Sequence, residues 1–151
     1  MNAQTTGSTA RQPDGRPALL AVEDLGVQFR SGGQWLPVVD GVSFTIARGE
    51  SVGLVGESGC GKTVTGLSIL GLLPHGIGRS TGRIMFEGRN IVALPEAEMR
   101  SLRGRRISMI FQEPMTALDP VFTIGEQIAE TLQAHTRIGR REARARAIDA
   151  L

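Results

Sequence analysis

The sequence has no tyrosine, one tryptophan, one cysteine and two histidines among its 151 residues, and aromatic side chains make up only 4% of it. The lone Cys60 has no second cysteine for an internal disulfide, and no Cys/His spacing suits zinc, which favours a reducing compartment such as the cytosol. Charge of one sign does not dominate either. Against 15 Asp+Glu stand 17 Lys+Arg, a net of +2, so bulk charge gives no reason to expect nucleic acid as a partner. No stretch approaches the roughly 20 apolar residues that cross a bilayer, and Met1 to Pro17 lacks the apolar core of a secretion signal. What is present is ordinary globular chemistry: 40% hydrophobic residues, 21% charged residues and 20 glycines for tight backbone turns. Collagen, coiled coils and wholly disordered chains are excluded. A chain of 151 residues fits one domain with a core of its own.

Residues 1–17 are small, polar and broken by Pro13, Gly15 and Pro17, and are expected to form a disordered tail. From Leu19 the pattern turns β-like. Leu25, Val27 and Phe29 alternate, Ser31-Gly32-Gly33 supplies a turn, and Val42, Phe44 and Ile46 alternate again, which predicts an antiparallel ribbon. After a turn at Arg48-Gly49-Glu50, Ser51 to Val55 is apolar on both faces and reads as a buried strand of a mostly parallel sheet. A glycine loop, Gly56 to Gly61, leads into a predicted helix from Lys62 to Leu73, stopped by Pro74. Beyond the loop His75 to Gly82, a third strand is expected over Arg83 to Glu87, and Pro95 opens a short helix at the position where a missing N–H costs nothing. Ile107 to Phe111 reads as another buried strand. Ile124, Ile128 and Leu132 mark one further helix by their four-residue spacing, and Arg140 to Leu151 another. There is no internal repeat.

The most informative segment is Gly56-Glu57-Ser58-Gly59-Cys60-Gly61-Lys62-Thr63, which fits G-x-x-x-x-G-K-[ST] at every fixed position. Glycines let the backbone fold into a concave nest of N–H groups, and the helix that starts there adds the positive end of its dipole. Lys62 would reach the β- and γ-phosphates of a nucleotide, and the Thr63 hydroxyl would complete a Mg²⁺ shell. Lys62 is also the only lysine among 17 basic residues. A slim ammonium is kept where a planar guanidinium would fit poorly against phosphates. Cys60 sits at the helix entrance, where it serves as a small loop residue.

Many families own this loop, and the surrounding residues choose among them. Val38 to Leu73 (VVDGVSFTIARGESVGLVGESGCGKTVTGLSILGLL) and Ile107 to Pro120 (ISMIFQEPMTALDP), followed by Gly125-Glu126-Gln127, resemble the ATP-binding subunit of an ABC transporter, in the dipeptide/oligopeptide/nickel importer family. The resemblance covers nearly everything from Leu19 to Leu151. It implies an α/β fold of the P-loop NTPase type: an ABC nucleotide-binding domain with an antiparallel β ribbon and the start of a helical subdomain. Residues 18–151 would be a partial domain, with core 18–111 and Q-loop plus helical subdomain 112–151. Phe29 matches the aromatic that stacks on adenine, the alternative being a core phenylalanine. Gln112 matches the Q-loop glutamine, whose amide contacts Mg²⁺ and the water near the γ-phosphate, and Pro114 to Pro120 would lie where the membrane subunit is touched. The implied ligands are ATP and Mg²⁺. The implied partners are transmembrane permease subunits, a second ATP-binding subunit and, indirectly, an extracytoplasmic solute-binding protein, at the cytoplasmic face of the cell membrane.

Two matches are decoys. Ser31-Gly32-Gly33-Gln34 spells part of the family's signature LSGGQ, but it stands before the phosphate loop and between two strand patterns, so it reads as a hairpin turn. Leu19 to Asp24 (LLAVED) imitates an apolar strand ending in an acidic pair, yet it belongs to the first strand and reads as a strand edge. The signature helix, the strand ending in Asp-Glu and the switch histidine of the family are not found after Gln112. His75 and His135 lack the strand context and read as solvated side chains. The sequence is therefore expected to be the front half of such a domain, marginally stable alone, binding nucleotide without appreciable turnover. Two alternatives stand: a truncated non-catalytic nucleotide-binding module, or a nucleic-acid-handling ATPase suggested by Arg100, Arg103, Arg105, Arg106 and the five arginines from Arg137 to Arg146. Those arginines lack interleaved aromatics for base stacking, which favours solvated faces.

Overall fold

The computed structural model describes residues 18–111 and 118–151. The expected tail, Gln112 and most of the segment Pro114 to Pro120 lie outside the described residues. The chain divides into two compact units, Met1–Met99 and Arg100–Leu151.

The first unit is built on an antiparallel sheet with strand order β2-β1-β3-β4. Its strands are β1 (Ala18–Ser31), β2 (Gln34–Ala47), β3 (Gly78–Phe86) and β4 (Arg89–Asn90). The predicted ribbon is β1 and β2, and its turn is Gly32-Gly33, flanked by the pair Ser31↔Gln34. Both glycines have positive φ, 56° and 82°. A two-residue hairpin needs that geometry to match the strand twist, so the Ser-Gly-Gly-Gln match is a turn and not a signature motif. LLAVED lies inside β1, which is paired on both sides, and so is not at the sheet edge as expected. The positive φ of Asp24 (50°) accompanies register shifts against both neighbours. Leu25, Ile84, Val22 and Val27 are the largest fully buried side chains. Each stabilises the fold by about 1.5–3 kcal/mol relative to exposure.

Between β2 and β3 lies helix α1 (Lys62–Ile69). It stops earlier than predicted, because Gly71 (φ 62°) ends it before Pro74 is reached. Leu72 N–H donates to the Leu67 carbonyl and Gly71 N–H to that of Ser68, a Schellman closure. Strand β3 begins well before Arg83, since β1 pairs along it from Leu20↔Phe86 to Phe29↔Gly78. Helix α2 (Glu96–Leu102) starts after Pro95 as expected.

The parallel-sheet expectation is not met. Among the described residues, Ser51 to Val55 and Ile107 to Phe111 form no strand, and the only bridge at either is Arg103↔Ile107. A strand apolar on both faces needs ladder partners on both sides, and none of the described residues pairs with Ser51 to Val55. The apolar side chains are left open: Val55 is 94% exposed and Ile110 92%.

In the second unit, α3 (Ile124–His135) packs on α4 (Arg140–Asp149) through Ala129, Ala143 and Ala147, joined by Ile128, Leu132 and Ile138. Thr123 caps α3 in a reciprocal box with Glu126. The Gln127 amide ties α3 to the preceding loop, donating to the carbonyls of Asp119 (2.9 Å) and Phe122 (3.1 Å). His75 is exposed as expected. His135 is half-buried, and a Cβ at Gly104 would lie 2.6 Å from its Nε2, so it packs over backbone and is not simply solvated.

Candidate functional site

The loop Gly56 to Thr63 sits at the start of α1. Gly59 and Gly61 have φ of 83° and 90°, conformations that side chains rarely adopt, and Gly61 is the residue that caps α1. Backbone shape therefore calls for glycine at Gly61, the motif's second fixed glycine, and at Gly59 between the two fixed ones. A Cβ at Gly56 would lie 2.6 Å from Sγ of Cys60, so the first glycine makes room for the cysteine. The loop is exposed from Gly56 to Cys60 and becomes buried at Gly61.

Lys62 folds back over this loop. Its Nζ donates to the carbonyl of Gly56 at 2.8 Å and to that of Glu57 at 2.6 Å, and lies 3.4 Å from Cys60 Sγ. One ammonium thus gathers three residues of the loop around a single positive charge. The first N–H groups of α1 have no partners within the helix and point the same way by helix geometry. A positive side chain and the positive end of a helix dipole therefore lie at one exposed loop. Thr63 is exposed in the first turn of α1. Its hydroxyl suits a hard cation such as Mg²⁺, which takes few protein ligands and several waters or phosphate oxygens. No cluster of three or more His, Cys, Asp or Glu among the described residues forms a metal cage of its own.

Phe29 lies in β1, half-buried, paired with Leu36 and Gly78. A Cβ at Gly78 would lie 3.1 Å from its ring carbon Cε1 and from Leu73 Cβ, so the ring edge packs over Gly78 beside Leu73. Thus Gly56, Glu57, Cys60 and Lys62 are brought together directly, Phe29 belongs to the same unit, and Gln112 lies outside the described residues. The sequence reading missed Thr65. This side chain is 3% exposed, and its Oγ1 donates to the Gly61 carbonyl at 3.0 Å while its N–H donates to the same oxygen at 2.8 Å. A hydroxyl on the buried face of α1 was the available signal.

Comparison with known proteins agrees with this geometry. The family model described as ABC transporter matches residues 39–151. The chain belongs to that family. It is 49% identical over 134 residues to a probable peptide ABC transporter ATP-binding protein, y4tR, of Sinorhizobium fredii, a match covering 88% of this chain and 40% of that protein. It is 47% identical over 127 residues to the dipeptide transport ATP-binding protein DppD of Bacillus subtilis, covering 83% of this chain and 38% of that one. The chain thus spans about 40% of the length of these curated relatives. The ATP-binding cassette MJ0796, solved as a dimer in a post-hydrolysis state bound to ADP and Pi, superposes with a TM-score of 0.72 at 23% identity, covering 86% of this chain and 54% of that one. The fold is the ABC cassette fold, of mixed α/β class, here with its antiparallel sheet. Among the described residues no helix is long and apolar enough to cross a membrane.

Proposed function

We propose that the chain is the ATP-binding part of an ABC importer for peptides and that Gly56 to Thr63 holds the nucleotide phosphates. The observation that carries this reading is the Lys62 ammonium held over the loop mouth by the carbonyls of Gly56 and Glu57. An incoming phosphate exchanges those neutral acceptors for charged ones, which make stronger hydrogen bonds with an ammonium. Lys62 then binds the β- and γ-phosphates, the loop and α1 N–H groups surround them, and Phe29 stacks on adenine. Thr63 and Gln112 would hold Mg²⁺, which neutralises charge on the phosphate oxygens when bound. Gln112 would also orient the attacking water.

The reading carries a domain division, with a nucleotide-binding core over 18–111 and a Q-loop and helical subdomain over 112–151. Ser51 to Val55 and Ile107 to Phe111, apolar and open, are then strands awaiting further ladder partners in a longer protein. A second ATP-binding subunit would complete the nucleotide site, and transmembrane permease subunits would receive the motion at the cytoplasmic face of the membrane. Names of the relatives support peptides over nickel as cargo.

Titration of the purified protein with a fluorescent ATP analogue tests the nucleotide site. Saturable, Mg²⁺-dependent binding that unlabelled ATP displaces is expected, and its absence would refute the assignment. For the cargo, deletion of the encoding gene is expected to abolish uptake of a labelled dipeptide. Unchanged dipeptide uptake together with lost nickel uptake would reverse the choice of solute.

A further inference from the structure

Gly61 is the pivot between the phosphate loop and α1, and it is held from outside the loop. A Cβ at this position would lie 2.7 Å from Cγ2 of Val39 and 3.3 Å from the carbonyl oxygen of Val38. Strand β2 therefore rests directly on the backbone of Gly61. Val39 itself is 6% exposed and paired with Val27 of β1, so its side chain has little freedom to retreat. From the other side, the N–H and hydroxyl of Thr65 both donate to the Gly61 carbonyl. Gly61 is thus clamped between a branched side chain of the sheet and a buried hydroxyl of the helix.

We infer that Val39 is a positioning residue for the nucleotide site: its branched side chain fixes Gly61, and through Gly61 the direction of Lys62 and Thr63. The inference rests on the phosphate-binding reading of the loop. Its physical basis is that Gly61 lies at φ 90°, where glycine itself is free to move to other conformations. The two hydrogen bonds from Thr65 hold its carbonyl, and the contact with Val39 narrows the choice from the sheet side. When the loop populates its competent shape for only a fraction of the time, the apparent dissociation constant rises by the inverse of that fraction. The same strand pair joins the two halves of the proposed site, since β1 carries Phe29 two residues beyond Val27.

Three substitutions separate positioning from simple stability. Val39→Thr keeps a branch of nearly the same shape but buries a hydroxyl, so it lowers stability. Val39→Leu stays apolar but adds one methylene and moves the branch away from Cβ, and Val39→Ala removes it. The expected result is that Thr retains the ATP affinity of the unaltered protein while Leu and Ala weaken it by about three- to tenfold, on the fraction argument above. Binding is read by titration with the fluorescent ATP analogue, and folding by far-UV circular dichroism at the same temperature. Affinity that follows melting temperature, or stays within twofold for Leu and Ala, would overturn the inference. Failure of the unaltered protein to bind would instead remove the nucleotide reading, and this inference with it.

Discussion

Nζ of Lys62 donates to the carbonyl oxygen of Gly56 at 2.8 Å, so the motif's lysine closes onto the motif's first glycine. The bond is exposed to solvent, and so is the second one to Glu57. Neither therefore adds much to folding. Lys62→Ala is expected to change stability by less than about 0.5 kcal/mol, as surface substitutions usually do. Its effect on nucleotide should be far larger. Loss of a charge-assisted hydrogen bond costs about 1.5–3 kcal/mol, or roughly ten- to hundredfold in the dissociation constant for ATP. Chemical denaturation and ATP titration on the same preparation check both halves. Equal ATP affinity in the variant would remove Lys62 from the site.

Cys60 offers a chemical test of the same loop. Its Sγ is 3.4 Å from Nζ of Lys62 and occupies the space that a side chain at position 56 would need. The thiol is the only one in the chain and it is exposed. A maleimide attached there fills the loop mouth, so labelled protein is expected to lose ATP binding, and saturating ATP is expected to slow labelling. Mass spectrometry gives the extent of modification. Unaltered ATP binding by fully labelled protein would contradict this.

Gly82 is the glycine of the sheet least able to change. It has φ 87°, and a Cβ there would lie 2.2 Å from the carbonyl oxygen of Asp24 and 2.6 Å from that of Glu23. The backbone of β1, shifted at Asp24, fills that space. Gly82→Ala combines a strained φ with a clash against backbone and is expected to cost about 3 kcal/mol or more. Gly33→Ala is the control, because φ is 82° but no heavy atom lies within 4 Å. It is expected to cost only about 1–2 kcal/mol. Similar losses for the two, measured by denaturant unfolding, would show that the contact at Asp24 carries no weight.

The parts of the fold that were legible are those whose information is local. The loop motif fixes a glycine at the left-handed position Gly61, and the sequence places another at the left-handed Gly59. The hairpin is written in Gly32-Gly33, and Pro95 and Ile124 mark helices by chemistry within one turn. The first half of β3 was not legible, because Gly78, Arg79, Ser80 and Thr81 show no apolar alternation and are held extended by pairing with β1. Ser51 to Val55 failed in the opposite sense: its composition suits a strand, but composition does not supply a ladder partner. The support of Gly61 by Val39 was out of reach for the same reason. It joins two residues distant in sequence, and nothing in β2's own pattern points to it.

The start of α3 predicts a specific pH dependence. The side chain and backbone of Thr123 both donate to Glu126, which holds its carboxyl below the ordinary value of 4.5, with Arg140 and Arg144 assisting. A carboxyl so lowered contributes stability only while ionised. That contribution is complete above the ordinary value and is lost as pH falls through the lower value in the folded protein. The second unit should therefore lose helicity at its N-terminal turn below about pH 4. Glu126→Gln keeps a hydrogen-bonding side chain at the same position of the box but carries no charge to titrate. It is expected to start with slightly less helix at neutral pH and to lose none of it to this titration on acidification. Amide hydrogen exchange at Gln127 and Ile128, compared at pH 6 and pH 3.5 after correction for intrinsic exchange, isolates the turn. Equal acid sensitivity in the parent and the Gln variant would show that this carboxylate does not govern the helix start.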